Sequence, residues 1–144
     1  MEQEDLKRFM HVQMPLRVYN FDTDFMGIVN NTVYARWFEV LRTGILDAYF
    51  PLEAMLEHGD CPIISETHIR YMRPITLRSR LMGTAWIAEM GRSRWRMEFA
   101  LDDHGVRACE AWQEGYYYNL ARRKPVPFPE AFVDLYALKL HGQQ

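Results

Sequence analysis

Cysteine, net charge and long apolar runs are all scarce in this sequence. Its two cysteines, Cys61 and Cys109, give neither a disulfide framework nor a zinc-binding spacing. The formal net charge is −2, so no global field draws the chain to nucleic acid or to an anionic membrane. No apolar run approaches the roughly 18 residues that cross a bilayer. We therefore expect a soluble, cytoplasmic protein with reduced cysteines, forming one domain over residues 1–144 with its core at about 15–132.

Several catalytic and cofactor-binding motifs are missing as well. There is no HExxH, no CxxC and no acidic cluster, and neither GxxxxGK nor GxGxxG occurs. The segment from Gly91 to Trp95 lacks the second glycine of a nucleophile elbow, which disfavours a serine hydrolase. Among the histidines, His68 shares a predicted strand face with Glu66 and Arg70, a position more typical of a polar surface than of a catalyst. We expect no metal and no cofactor.

What the sequence does contain is a turn-rich segment directly before a long apolar helix. Residues 22–31 read Asp-Thr-Asp-Phe-Met-Gly-Ile-Val-Asn-Asn, and Asn30 or Asn31 can serve as the N-cap. Apolar residues between 33 and 49 cover more than one narrow stripe, which predicts a largely buried helix. Asp24 then lies near the unpaired N–H groups of a helix N-terminus, where negative charge is stabilised. A carboxylate beside such a site is typical of acyl-transfer chemistry.

Strand patterns surround this helix. A short alternation at residues 15–21 precedes it, Pro51 ends it, and a loop at Gly59–Asp60 leads to the sheet. Four longer runs with a period of two follow, at residues 62–73, 78–89, 94–101 and 106–120. Three prolines between 125 and 129 then introduce a short helix near 130–140. This order predicts an α+β fold, in which a curved antiparallel sheet of about five strands wraps the long central helix, and its open edges favour pairing of two copies.

One extended motif resembles the signature of hotdog-fold acyl-CoA thioesterases, in particular the branch of 4-hydroxybenzoyl-CoA thioesterase and the YbgC-like and FadM-like enzymes. The motif reads Asp22-Thr23-Asp24-x-x-Gly27-Ile28-Val29-Asn30-Asn31-x-x-Tyr34, then Phe38-Glu39-x-x-Arg42, with Tyr71-x-x-Pro74 and the prolines of 125–129 further on. The similarity covers roughly residues 16–132. It implies a hotdog fold, hydrolysis of an acyl-CoA to a carboxylic acid and coenzyme A, and a homodimer or homotetramer.

The resemblance also implies roles for individual residues. The aspartate matching Asp24 is the essential carboxylate, either as a nucleophile that forms a mixed anhydride or as a general base that directs water. The backbone N–H of Asn31 polarises the thioester carbonyl. Many YbgC-like enzymes carry histidine at this position, so the sequence lacks one candidate acid for the leaving thiolate. The substrate-binding residues that we predict are Gly27, Tyr34 and Trp37, the last two lining an acyl pocket, and Arg92, Arg122 and Lys124, which would contact coenzyme A phosphates.

Each of these residues also has a purely structural interpretation. Aspartates such as Asp22 and Asp24 commonly fix turns, and a glycine such as Gly27 permits positive φ. Glu39 is a catalytic base in other hotdog branches, but with Arg42 at i+3 we interpret it as half of an ion pair. The cations at predicted strand ends are also typical of solvated edges.

Three other functions stay open from the sequence. A non-catalytic hotdog protein would bind acyl thioesters without releasing a thiol. A thioesterase acting on acyl carrier protein is a variation of the main hypothesis. A hotdog hydratase pairs its carboxylate with a histidine, and no such pair accompanies Asp24. The length and type of the acyl group cannot be read from the sequence.

Overall fold

The computed structural model describes residues 10–50 and 52–141, and in it one curved antiparallel sheet packs against one long helix. The elements are β1 (His11–Leu16), α1 (Asn31–Tyr49), α2 (Leu52–His58), β2 (Asp60–Tyr71), β3 (Leu81–Met90), β4 (Arg94–Asp103), β5 (Val106–Asn119), β6 (Lys124–Pro125) and α3 (Glu130–His141). No helix in the described part of the chain is long and apolar enough to cross a membrane.

The sheet is a meander with two added edges. Its strand order is β1-β3-β4-β5-β2, and the short β6 pairs with the end of β5. The hairpins between β3, β4 and β5 are sequential, whereas β2 precedes them in the chain and lies beyond β5. A β-bulge between Ile64 and Glu66 interrupts the pairing of β2 with β5. Beside it, Gly115 allows a close approach, because a Cβ atom there would lie 1.7 Å from the Ile63 carbonyl oxygen.

The core forms where α1 lies across the inner face of the sheet. The buried residues of α1 recur every three or four positions, so they form one helix face. They are Val33, Tyr34, Trp37, Phe38, Leu41 and Ile45. Phe38 contacts Phe99 of β4 at a ring-centroid distance of 4.8 Å, and the exposed fraction of each residue is at most 1%. Burial of this large apolar face stabilises the helix and holds its N-terminus in a fixed place relative to the sheet.

The first strand differs from the prediction of residues 15–21. β1 ends at Leu16, and a 3₁₀ turn occupies Asn20–Asp22. The cause is the carboxylate of Asp22, which accepts a hydrogen bond from the Tyr19 N–H at 2.9 Å and bends the chain. Alternation of apolar and polar residues could not reveal this local competitor for the backbone.

The region between the long helix and the sheet also differs from the prediction. We expected only a loop, but α2 occupies Leu52–His58, in a stretch rich in good helix formers. Gly59 follows it with φ of +72°, a typical helix C-terminal glycine. Helix α1 ends at Tyr49, near the predicted end, although Pro51 itself lies outside the described residues.

Candidate active site

A tight turn holds Asp24 in place. The Gly27 N–H donates to the Asp24 carbonyl at 3.0 Å, and the Asp24 N–H donates to the Ile28 carbonyl at 2.9 Å. Gly27 has φ of +78°, the left-handed conformation that glycine adopts without strain. The Asp24 Oδ1 accepts from the N–H groups of Met26 at 2.9 Å and Ile28 at 3.1 Å. Within residues 10–50 and 52–141 its Oδ2 has no partner, so one oxygen fixes the turn and the other faces solvent.

Asp22 lies only two residues away but in the opposite environment. Its side chain is 1% exposed, and its two oxygens accept hydrogen bonds from the Arg36 guanidinium at 2.9 and 2.8 Å. The hydrogen bond from Arg36 is the main reason why the pKa of Asp22 is lowered from 3.8. This pair ties the turn to α1. Asp22 therefore has the structural role that its turn-forming character predicted.

The start of α1 leaves one N–H group available. Asn30 is the N-cap, and its side-chain oxygen accepts from both the N–H and the hydroxyl of Thr32 at 3.1 Å. Asn31 is the first helical residue, and its N–H finds no acceptor among the described residues. First-turn N–H groups have no intrahelical acceptor, and the helix dipole adds partial positive charge there. The Asn31 N–H thus has the geometry of an anion-binding donor.

An open groove of about 230 Å³ adjoins this helix start. The segment after β2 passes close to it, since the Val29 N–H donates to the Ile75 carbonyl at 2.8 Å. The residues that line the groove are Ile28, Val29, Asn31, Tyr34, Tyr71, Met72, Arg73 and Pro74. Asp24 does not line it within one chain. The carboxylate instead lies beyond the Ile28 N–H, to which it is hydrogen bonded.

The two predicted acyl-pocket aromatics occupy different positions. Tyr34 and Trp37 are each 2% exposed and make an edge contact with a centroid distance of 5.3 Å. Tyr34 also contacts Tyr71 at 4.8 Å with nearly perpendicular rings, and it lines the groove. Trp37 packs behind it and does not line the groove. Burial raises the pKa of Tyr34 to about 12, so its hydroxyl is neutral at physiological pH.

The predicted cations lie at the opposite end of the sheet from Asp24. Arg92 lies between β3 and β4, Arg122 and Lys124 follow β5, and all three are exposed. In β5, Cys109 lies opposite Tyr71 of β2, and Asn119 lies at the far end of the sheet, opposite Asp60. At ~3.3 Å per residue those ten residues of strand span about 30 Å. One chain does not bring these cations to Asp24.

Arg73 is a groove cation that our reading of the sequence missed. It is exposed, lines the groove beside Pro74, and forms no ion pair with a carboxylate of residues 10–50 or 52–141. The sequence signal that could have predicted this role is the position of Arg73 between the end of a strand and a proline. Glu39, by contrast, pairs with Arg42 as we expected from the spacing. The described residues hold no group of three or more side chains suited to a metal ion.

Comparisons with known proteins identify the fold. The model of a family described as the thioesterase-like superfamily matches residues 20–135, whereas no curated protein matches the sequence. A thioesterase from Thermus thermophilus, complexed with coenzyme A and zinc, is 23% identical, with 92% of this chain and 96% of that chain covered and a TM-score of 0.78. The DHNA-CoA thioesterase of Staphylococcus aureus is 22% identical, with coverages of 92% and 95% and a TM-score of 0.81. A hypothetical Staphylococcus aureus protein in complex with CoA is 16% identical, with coverages of 95% and 88% and a TM-score of 0.85. The predicted hotdog fold is confirmed.

Proposed function

Since this chain belongs to the thioesterase-like superfamily, we propose that it hydrolyses an acyl-CoA thioester to a free carboxylic acid and coenzyme A. The enzyme class predicted from the sequence, a thioester hydrolase, is the class of the family. Coenzyme A as the carrier of the acyl group is supported by two structures of similar fold that contain it. The chemistry, however, must come from the residues of this chain.

The observation that carries the proposal is that one short hairpin presents Asp24 and leads directly into the helix start at Asn31. The Asp24 N–H donates to the Ile28 carbonyl, and Asn31 follows three residues later. Among the described residues, one Asp24 oxygen and the Asn31 N–H have no hydrogen-bond partner.

Two routes to hydrolysis use the same pair of groups. In the first, Asp24 Oδ2 attacks the thioester carbon, the carbonyl electron pair moves onto oxygen, and the C–S bond then breaks to release coenzyme A as a thiolate; water hydrolyses the resulting anhydride. In the second, Asp24 takes a proton from a water molecule that attacks instead. Negative charge develops on the carbonyl oxygen in both routes. The Asn31 N–H and the helix dipole stabilise it there.

A second copy of the chain completes the site in this proposal. β1 is a six-residue edge with Pro15 near its end, whereas β2 is a twelve-residue edge that has Pro62 only near its start and no partner strand on its outer side in the described part of the chain. A long open edge is a template for pairing. We infer a two-fold dimer in which the β2 strands of two copies pair antiparallel, as isologous contacts require.

That dimer would bring the two separated halves of the predicted site together. Antiparallel pairing centred near the middle of β2 sets the Asp60 end of one copy beside the Tyr71 end of the other. The exposed Arg92, Arg122 and Lys124 of one copy then approach the groove of the other, where their charge suits the phosphates of coenzyme A. Arg73 adds a cation from the groove's own chain.

The experiment is a panel of acyl-CoA substrates with detection of the released thiol. Asn replaces Asp24 with the same shape, so its amide oxygen can still accept from Met26 and Ile28 while the attacking oxygen is lost. We expect Asp24→Asn to lower kcat by at least about 1000-fold with an unchanged melting temperature. Asp47→Asn, an identical change at an exposed residue of α1, is the control and should retain full activity. Coenzyme A binding without thiol release in the unaltered protein would favour a non-catalytic binder.

A further inference from the structure

We propose that the hydroxyl group of Tyr34 is a second hydrogen-bond donor to the substrate carbonyl oxygen, acting together with the Asn31 N–H. This inference rests on the proposed thioester hydrolysis and adds a catalytic residue to it. It assigns Tyr34 a chemical task, where the sequence suggested only an apolar wall.

The position of Tyr34 on α1 supports this role. Tyr34 lies one turn after Asn31, and residues three apart share a helix face. Long side chains on a helix lean toward its N-terminus, so the ring extends back over the first turn. Both residues line the same groove. A carbonyl oxygen that accepts from the Asn31 N–H is therefore on the side toward which the Tyr34 hydroxyl extends.

The hydroxyl of Tyr34 is also unpartnered. It forms no hydrogen bond within residues 10–50 and 52–141, although buried tyrosines usually find a partner for this group. In that part of the chain, two side-chain polar atoms are both sealed from solvent and without a partner, the indole nitrogens of Trp37 and Trp95. The Tyr34 hydroxyl also lacks a partner but is not sealed, so it accounts for part of the 2% of this residue that solvent reaches. Because Tyr34 lines the groove, we infer that its hydroxyl opens into the groove.

Neighbouring rings hold Tyr34 in one orientation. Trp37 contacts it with an interplanar angle of 68°, and Tyr71 contacts it at 89°, so the phenol is held from two sides. A donor held in advance at the place where charge develops costs no reorganisation during the reaction. A phenylalanine would make the same ring contacts. The hydroxyl is thus the one part of this side chain that packing does not require.

The chemistry of the phenol points to the carbonyl oxygen and not to the leaving sulfur. A thiol has a pKa near ~8.5, well below that of the desolvated Tyr34, so proton transfer from Tyr34 to the departing thiolate is unfavourable. A neutral phenol donates a hydrogen bond without losing its proton. The oxyanion of the tetrahedral intermediate is the acceptor that gains most from such a donor.

The test compares Tyr34→Phe with Tyr117→Phe, which removes the hydroxyl of another buried tyrosine, at the far end of the sheet and outside the groove. We expect Tyr34→Phe to lower kcat by about 100-fold, the usual effect of losing one oxyanion donor, with KM within about two-fold of the unaltered protein. Tyr117→Phe should change neither kcat nor KM. Because the Tyr34 hydroxyl is neutral up to a pH of about 12, the loss should be equal across the accessible pH range.

A second measurement separates a failure of this inference from a failure of the proposed function. Two coenzyme A analogues are titrated in which a methylene group replaces the thioester sulfur; one keeps the carbonyl, now a ketone, and the other has a methylene group in place of the carbonyl. Tyr34→Phe should lower the affinity for the ketone analogue, relative to the affinity for the methylene analogue, by about five-fold. This ratio does not depend on turnover. If Tyr34→Phe shifts this affinity ratio but the unaltered protein hydrolyses no acyl-CoA, the proposed hydrolysis is wrong and the contact between Tyr34 and the carbonyl is still supported.

Two results would overturn the inference. The first is a Tyr34→Phe variant with unaltered kcat and an unaltered affinity ratio. The second is a variant in which both analogues weaken equally while the melting temperature falls, because that pattern describes a residue needed only for packing.

Discussion

The two ends of the sheet differ in which groups they leave without partners. At the end that holds the start of α1, Asp24 Oδ2, the Asn31 N–H and the Tyr34 hydroxyl all lack partners within the described residues. At the other end, aromatic rings close the core; Phe50 and Phe132, for example, have centroids 4.4 Å apart. The cavity there is about 30 Å³ in volume and apolar. At that end the indole nitrogen of Trp95 is unpartnered but sealed, whereas Asp24 and Asn31 are exposed, so the groups at the start of α1 are the ones that a substrate can reach.

The comparison also shows why neither end is sufficient. The groups proposed for catalysis lie at one end, and Arg92, Arg122 and Lys124 lie about 30 Å away along the sheet at the other. A single chain therefore contains both halves of the predicted site without joining them. Two predictions test whether a second copy makes the connection, and a third tests the ion pair that fixes the turn before Asp24.

The largest effect is expected from breaking the open edge of β2. Hydrogen-bonded and unbonded positions alternate in an antiparallel ladder, and the Met72 N–H donates to Ala108 of β5. By that alternation Thr67 points its N–H away from β5. Thr67→Pro should leave the sheet of one chain intact but convert the dimer to a monomer, with activity reduced by more than about 100-fold. Sedimentation and thiol release measure the two effects.

Thr67→Ala keeps the N–H and is the matched control for this change. It should remain dimeric and active. A dimeric Thr67→Pro protein would show that copies associate through another surface, and an active monomer would show that one chain is sufficient.

An intermediate effect is expected when two defective chains are mixed. One chain carries Asp24→Asn, and the other carries Arg92→Ala, Arg122→Ala and Lys124→Ala. If the cations act across the dimer, each mixed dimer keeps one intact site, and co-expression should restore about one quarter of the normal activity at low substrate concentration. Activity no higher than the average of the two parent proteins would place carboxylate and cations on the same chain.

The smallest effect concerns stability. Because hydrogen bonding to Arg36 lowers the pKa of Asp22 from 3.8, this pair stabilises the protein at neutral pH, and the benefit is lost as the pH falls through the lowered pKa. Asp22→Asn should reduce the free energy of unfolding at pH 7 by about 2 kcal/mol. The stability difference should begin to shrink below a pH of about 4, where Asp22 of the unfolded chain takes up a proton, and should go on shrinking as the pH falls through the lowered pKa of the folded protein. Urea unfolding at pH 7 and pH 3 provides the comparison.

Much of the fold followed from periodicity, because burial repeats along the chain. Residues 33–49 predicted α1, and the strand runs after residue 60 predicted β2 to β5 to within a few residues. The errors lie where side chains compete with the backbone or where elements are short. The carboxylate of Asp22 ended β1 early, and the two residues of β6 are too few to produce a pattern.

The site was predictable only in part, because motifs specify local turns but not distant neighbours. The motif placed Asp24, Gly27 and the helix cap in one turn, and the structure shows that Asp24 also has the turn-fixing role that was the alternative to catalysis. The chemical roles of Asp24 and Asn31 stay predictions. No local pattern could tell that Tyr34 opens into the groove while Trp37 does not, nor that Arg73 joins them, since those facts depend on how the segment after β2 passes the helix.

The turn that presents Asp24 also presents an oxidisable side chain to solvent. Its two central residues face outward, with Phe25 98% and Met26 69% exposed. Burial raises the pKa of Cys61 and raises that of Cys109 to about 12, which lowers the fraction of reactive thiolate at both cysteines. Peroxide that oxidises the exposed thioether of Met26 would leave a polar sulfoxide two residues from the Asp24 carboxylate.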